Sequence, residues 1–382
     1  MKQTFALMLA CIKKALFNQQ DQLLNTKLTT EQAQKLYALS TAHDLSHLVG
    51  FAFKDTDYLP AQYKEAFAKS FFTAIARYEA IDYCLKKTDK IFSDNSLSYI
   101  LLKGGVIRSF YPMAWMRTST DIDILIKFED IQKVKKLLIS NGYEYKETSS
   151  YDITFVCDNV VLEVHFKFDN DDSYFDKITL QQLWQNGLIK SKNSSAFVMK
   201  DEYLYYYHIE HMAKHIKYGG IGVKSFIDLY YLNNINIDKS ARSKLLQDNQ
   251  LDVFEQTCVG LVSSWFNNAP YLESTALLES YAVSGGAFGT MQSTATAQVV
   301  KRGGKFKFFW GRVFLPYNKL CVRYPVLQKH KWLLPFCQLH RLFKAVFCGY
   351  AKGIKSEINA GVKVSKEQAE KTKKLFEYLN LK

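Results

Sequence analysis

Two aspartates, Asp121 and Asp123, stand inside an apolar run, "TSTDIDILIKF", shortly after the paired glycines Gly104 and Gly105. Burying charge is costly unless something pairs it, so this stretch restricts the fold more than any other in the chain. Its residues alternate. Ile122, Ile124 and Ile126 fall on one face and Asp121, Asp123 and Leu125 on the other, which is the period of a strand. The strand therefore presents two carboxylates, i and i+2, on one side, and the candidate partner is a cation. Carboxylates so placed can share metal ions, which sit about 3.5–4 Å apart in sites that clamp both oxygens of a phosphoryl displacement. Magnesium suits such a site, with manganese as an alternative, because it takes few protein carboxylates and keeps waters and substrate phosphates as its other ligands.

The flanking sequence supplies the rest of a site. Tyr99 to Leu102 form a short apolar run that ends at Lys103-Gly104-Gly105, as a buried strand ends in a turn. Glycines there let the backbone approach a ligand and point N–H groups at phosphate oxygens. Downstream, "EDIQKVKKLLISNGYEY" has the stripe Ile131, Val134, Leu137 and Leu138, acids in its first turn and Gly142 as its stop, which predicts a helix. The strands "DITFVCD" and "VVLEVHFKFD" follow, with Asp158-Asn159 as the hairpin turn between them. In the second strand Leu162, Val164 and Phe166 make the apolar face, and Val161, Glu163, His165 and Lys167 the other. Glu163 is thus an acid in mid-strand and the candidate third carboxylate. Asp152, Asp169, Asp171 and Asp172 are its rivals, but they lie at strand ends, where a solvated acid needs no special reason.

Helical spacing dominates on both sides. "TTEQAQKLYALSTAHDLSHLVGFAF" opens with Thr29 or Thr30 as a cap, and the pattern continues to about residue 95. It returns near 196 and persists to Lys382, broken by "SGGAFGTMQSTATAQVVKRGGK" (284–305), the best loop or linker candidate. "HIEHMAKH" puts His208, His211 and His215 on one helical face, a packing surface in preference to a metal site, and Asp228 reads as a structural acid within "FIDLYYL". The start, "MKQTFALMLACIKKALF", reads as a first amphipathic helix in preference to an export signal, since Lys13 and Lys14 follow its short apolar run at once.

Composition narrows the classes. The cysteines stand singly at 11, 84, 157, 258, 321, 337 and 348, with no Cys-x-x-Cys, so no disulfide framework or zinc ribbon is indicated and a cytoplasmic setting is expected. No stretch approaches the roughly 20 uninterrupted apolar residues of a membrane span. Of the net charge of +13, much lies in a segment, 301–355, that carries no acid and interleaves Lys and Arg with aromatics, as in "KFKFFWGRVFLPYNKLCVRYP". Such a segment is compatible with phosphates, RNA or peripheral contact with an anionic membrane, and equally with a helical scaffold whose solvated face is basic.

A strand, a Gly-Gly turn, a helix and a strand bearing Asp-x-Asp together resemble the catalytic core of the polymerase-β nucleotidyltransferase superfamily. More closely, "LLKGGVIRSFYP", "RTSTDIDILI", "NGYEY" and "LEVHF" resemble a family of uncharacterised bacterial nucleotidyltransferases, and the likeness covers most of 30–235. It implies an α+β fold with a small mixed-sheet, palm-like domain at 96–195, between a helical region at 1–95 and a second at 196–382. It implies Mg²⁺-dependent transfer of a nucleoside monophosphate from a nucleoside triphosphate such as ATP, with pyrophosphate leaving. Asp121, Asp123 and Glu163 would then be catalytic and hold the metal, while Lys103, Gly104, Gly105 and Arg117 would meet the nucleotide, Arg117 by reaching a phosphate or fixing the loop. The superfamily usually has Gly-Ser in the turn; with Gly104-Gly105, only backbone N–H groups can do that serine's work. The acceptor is open: a sugar phosphate, a protein hydroxyl, a small molecule or an RNA end. The alternative function is a nucleotide- or nucleic-acid-binding module that has lost catalysis.

Overall fold

A computed structural model describes residues 1–168, 177–191, 194–235, 239–287, 289–347 and 351–381. The chain divides into two compact units, Met1–Lys214 with Val223–Tyr271, and His215–Gly222 with Leu272–Lys382.

The first unit opens with four helices: α1 (Lys2–Phe17), α2 (Thr30–Ala42), α3 (Ser46–Phe53) and α4 (Ala61–Asp94). Of the two caps the sequence offers, Thr29 is the one that caps α2, in a reciprocal box with Gln32. The sheet follows. Strand β1 (Tyr99–Leu101) leads into a single helical turn, α5 (Gly104–Ile107), and then β2 (Asp121–Ile126). Helix α6 (Ile131–Ser140) buries Val134 and Leu138, and Gly142 ends it at φ 86°. Strands β3 (Glu144–Thr148), β4 (Asp152–Cys157) and β5 (Val160–His165) come next. Asp158 and Asn159, with φ of 48° and 67°, turn β4 into β5; both are left-handed, as the tight turns that match strand twist require. Helix α7 (Lys177–Asn186) precedes two short strands, β6 (Leu188–Lys190) and β7 (Ala196–Met199). Helices α8 (Asp201–Tyr218, counted in the second unit from His215 on), α9 (Val223–Asn233), α10 (Lys239–Asp248) and α11 (Asp252–Phe266) close the series.

The seven strands lie in the order β3-β4-β5-β2-β1-β7-β6. The pairs β2·β5 and β1·β7 are parallel and the others antiparallel, so the sheet is mixed. Ile122, Ile124 and Ile126 of β2 join Leu162 and Val164 of β5, Val134 and Leu138 of α6, and Phe92 of α4 in one core. The α+β class with helical flanks is what the sequence predicts. The strands β3, β6 and β7 are additions to that expectation.

The second unit is helical among its described residues: α12 (Glu273–Gly285), α13 (Met291–Lys301), α14 (Lys305–Val313), α15 (Tyr317–Arg323), α16 (Val326–Lys329), α17 (Leu334–Phe347), α18 (Ala351–Lys363) and α19 (Lys366–Tyr378). One core joins Ala295 and Val299 of α13 to Phe308 of α14 and to Ala360 and Val364. Another gathers Leu320, Cys321, Leu327 and Cys337 from α15, α16 and α17. The linker expected at 284–305 is corrected here, because half of it is α13. Thr290 caps that helix, accepting from the Ser293 amide, and Ala295, Thr296, Ala297 and Val299 are buried. Its small and hydroxylated residues read as loop only because the apolar stripe they form is alanine-rich.

Candidate functional site

The parallel pairing of β2 with β5 builds the site. Asp123 lies directly opposite Glu163, Asp121 opposite Val161, and Leu125 opposite His165. Side chains alternate along each strand, so the isoleucines and Leu162 enter the core while Asp121, Asp123, Glu163 and His165 share the other face. One ligand atom each from Asp123, Glu163 and His165 lies within 4.8 Å of the others, a grouping able to hold a metal ion. Asp121 stands beside them.

Charge within this cluster is uneven. Burial and the neighbouring Asp123 carboxylate raise the pKa of Asp121 above the usual carboxylate range. Burial would do the same to Asp123. Lys103 and His165 reverse it and hold Asp123 well below that range. The Lys103 ammonium donates to Asp123 Oδ1 at 2.8 Å, and His165 Nε2 lies 3.0 Å from the same oxygen. His165 Nε2 is also 3.4 Å from Glu163 Oε2. Burial pulls the pKa of His165 down, but its hydrogen bonds to Asp123 and Glu163 outweigh that and raise it.

Lys103 reaches Asp123 from an unusual backbone. Its φ of 38° with ψ of −117° lies outside the regions open to an ordinary side chain, a strain on the order of 1–3 kcal/mol that packed surroundings must sustain. The two glycines after it serve the packing. A Cβ on Gly104 would come within 2.3 Å of Arg117 Nη1, and one on Gly105 within 2.5 Å of the Leu101 side chain. The Gly105 amide is bonded to the Leu102 carbonyl at 3.0 Å and so belongs to the turn.

The loop from Gly104 to Asp121 is fastened by buried polar groups. Arg108 donates to the Gly104 carbonyl at 2.7 Å and to Ser119 Oγ at 2.8 Å. Arg117 makes a forked pair with Asp228 of α9, Nε to Oδ1 at 3.2 Å and Nη2 to Oδ2 at 2.8 Å, and the Tyr111 hydroxyl donates to the same carboxylate at 2.7 Å. Asp44 receives Thr118 Oγ1 at 2.7 Å and Lys224 Nζ at 3.1 Å. The guanidinium of Arg117 is thus aimed at Asp228.

Of the other candidates, Asp152 lies opposite His165 in the β4·β5 pairing and so on the site's face, but it is buried at the start of β4 and accepts from Ser149 Oγ in the turn from β3. Asp169, Asp171 and Asp172 lie outside the described residues. His208 is buried with Nε2 2.9 Å from the Ser225 carbonyl. Among the described residues, the group able to hold a metal does not include His208, His211 or His215. Sequence reasoning assigned no role to His165, although alternation along β5 puts it on the face of Glu163; that was the available signal. The Lys103–Asp123 and Arg117–Asp228 pairs had none, since 20 and 111 residues separate their members.

A family model described as an uncharacterised nucleotidyltransferase matches residues 29–267, more than half of the chain. No curated protein and no solved structure matches the chain.

Proposed function

The chain belongs to this family of uncharacterised nucleotidyltransferases, and we propose that it transfers a nucleoside monophosphate from a nucleoside triphosphate to an acceptor hydroxyl or phosphate, with pyrophosphate leaving. One observation carries the proposal: the register of β2 on β5, which sets Asp121, Asp123 and Glu163 side by side on one face. The donor set fits a hard divalent cation, since three carboxylates offer oxygen ligands and Asp123 is already ionised against a cationic partner. Asp121, Asp123 and Glu163 would hold Mg²⁺, or Mn²⁺ in its place, which supplies charge neutralisation at the triphosphate and its leaving group.

The protein's own groups have separate tasks in this reading. Lys103 holds the Asp123 carboxylate in the resting site and is within reach of an incoming phosphate. The Gly104 amide, at the first position of α5, meets phosphate oxygens beside it. His165 fixes the orientation of Asp123 and Glu163. Arg117, expected to touch the nucleotide or fix the loop, is assigned to the loop, because Asp228 and Tyr111 already engage its side chain and the carboxylate it holds. Such chemistry rests on positioning and electrostatics and needs no nucleophilic side chain.

The test is direct. Pure protein is incubated with each α-labelled nucleoside triphosphate, Mg²⁺ and a cell extract, and the labelled fraction is sought. Label should transfer with the native chain and fall by about a hundred- to a thousandfold in Asp123→Asn, the order expected when an electrostatic clamp on the transition state is lost. Mn²⁺-dependent binding of triphosphate without any transfer would instead support a binding module that has lost catalysis. The resting Lys103–Asp123 ion pair is the observation that keeps that second reading in play.

A further inference from the structure

The helices of the second unit turn bulky apolar side chains outward. In α17, Phe336 and Leu339 are 61% and 64% exposed, and Phe343 continues the row. These positions fall within about 60° of one another on a helix of 3.6 residues per turn. Trp332, 69% exposed in the turn just before, lies four residues ahead of Phe336. The opposite side of α17 is the packed one: Cys337 enters the core with Leu320 and Leu327, Gln338 bonds the Leu315 backbone, and Arg341 donates to the Arg312 and Val313 carbonyls. In α14, Phe308 is buried, while Phe306, 75% exposed, and Trp310 form an outward aromatic cluster with Phe309 and Phe314. Between Glu279 and Glu357 the chain has no acid, and Lys305, Lys307, Lys329, Lys331 and Lys344 flank these rows.

We propose that the outward face of α17 with the turn between Lys331 and Leu333, together with the outward rings of α14, docks on an anionic lipid bilayer. Apolar side chains in a lysine-rich segment without acids match the acyl boundary beneath a layer of negative headgroups. Trp332 and Trp310 suit that boundary, being apolar in body with one polar N–H. At 14 residues α17 is about 21 Å long, too short for the roughly 30 Å hydrocarbon core, so it lies in the interface. Among the described residues no helix is long and apolar enough to cross a membrane. A single-stranded nucleic acid would use the rings but has nothing to stack on Leu339, which sits in the middle of the row. A second copy of the chain would bring one basic, acid-free segment against another. The bilayer satisfies both the charge and the aliphatic content.

Co-sedimentation of the full chain with vesicles tests this. Phosphatidylcholine vesicles containing phosphatidylglycerol should bind it, pure phosphatidylcholine far less, and binding should weaken as salt rises. Lys329→Gln, Lys331→Gln and Lys344→Gln should each weaken binding by about fivefold, the order expected per surface lysine. The triple variant Trp332→Ser, Phe336→Ser, Leu339→Ser should abolish it while its circular dichroism melt stays that of the native chain, since those side chains are exposed. Brominated acyl chains should quench the exposed tryptophans in the native chain. Binding that survives the triple variant, or no binding to anionic vesicles, overturns the proposal. So does an RNA oligonucleotide bound equally well by native and triple-variant chains in place of vesicles, or a dimer that the triple variant dissolves. The proposal is independent of catalysis: Asp123→Asn should bind vesicles as the native chain does.

Discussion

Lys103 and an incoming cation want the same carboxylate oxygen. In the resting site the ammonium sits 2.8 Å from Asp123 Oδ1, so it must be displaced before a metal can bind there. Replacing it by Met removes the competitor without adding charge. Lys103→Met should therefore bind Mn²⁺ more tightly, by about tenfold for each 1.4 kcal/mol the ion pair contributes, while nucleotidyl transfer falls. Asp123→Asn and Glu163→Gln should lose Mn²⁺ binding, read by electron paramagnetic resonance with the fold checked separately. Unchanged affinity in all three would remove the basis of the metal reading. Arg117 poses the opposite case, a pair that holds the fold. Removing one partner of a buried ion pair leaves an uncompensated charge, so Arg117→Met should destabilise the first unit by about 3–5 kcal/mol in urea titration. If it instead lost only triphosphate affinity, the guanidinium would belong to the ligand after all. At this scale the sequence was informative where local pattern decides. Asp121, Asp123 and Glu163 declare themselves by sitting where a strand should be apolar. Asp228 also reads as a structural acid among apolar residues, and it is buried as one; its partners Arg117 and Tyr111 show only once α9 is placed beside the loop.

Among the elements, the short α3 shows how a buried histidine sets the acid limit of the loop. His47 is buried, and its Nε2 lies 2.9 Å from the Met116 carbonyl, just before Arg117. Burial lowers its pKa to about 4, with the Met116 bond and Asp44 opposing and the charges of Lys224 and Arg77 assisting. In the folded chain the ring is thus neutral at a pH where the unfolded chain, with a pKa near 6.5, is protonated. The unfolded state binds the extra proton, so stability is fully present above pH 6.5 and is lost as pH falls towards 4, at up to about 1.4 kcal/mol per unit. His47→Gln, which can still donate to Met116, should flatten that slope between pH 6.5 and 4 in urea titrations. An unaltered slope would place the sensitivity elsewhere. The long elements were legible because amphipathic period survives over many turns, as in α2, α4 and α6. The strands β6 and β7 were not, since three or four residues carry too little pattern, and β7 is fixed by its parallel pairing with Tyr99 and Ile100. The Gly-Gly turn is legible as a turn, whereas the neighbours that exclude a Cβ there, Arg117 and Leu101, show only in the fold.

For the whole molecule, the two compact units imply two cooperative events on unfolding. Each has a core of its own: Ile124, Phe155 and Leu162 with their neighbours in the first unit, Phe308 with Val299 and Val364 in the second. Chains with more than one such core commonly depart from a single all-or-none transition. Calorimetry should therefore resolve two components, and large-to-small substitutions should assign them. Phe155→Ala removes a fully buried ring beneath the candidate site, a loss of about 3–5 kcal/mol, and should shift one component. Phe308→Ala should shift the other, because that ring packs against Gly361, where even an added Cβ would approach it to 2.3 Å. Mn²⁺ supplies an independent assignment. A ligand stabilises only the state that binds it, so saturating Mn²⁺ should raise the component that Phe155→Ala lowers and leave the Phe308→Ala component in place. If both substitutions moved one shared transition, the cores would be coupled, and a metal bound at Asp123 would stabilise the helices that carry Trp310 and Trp332 as well.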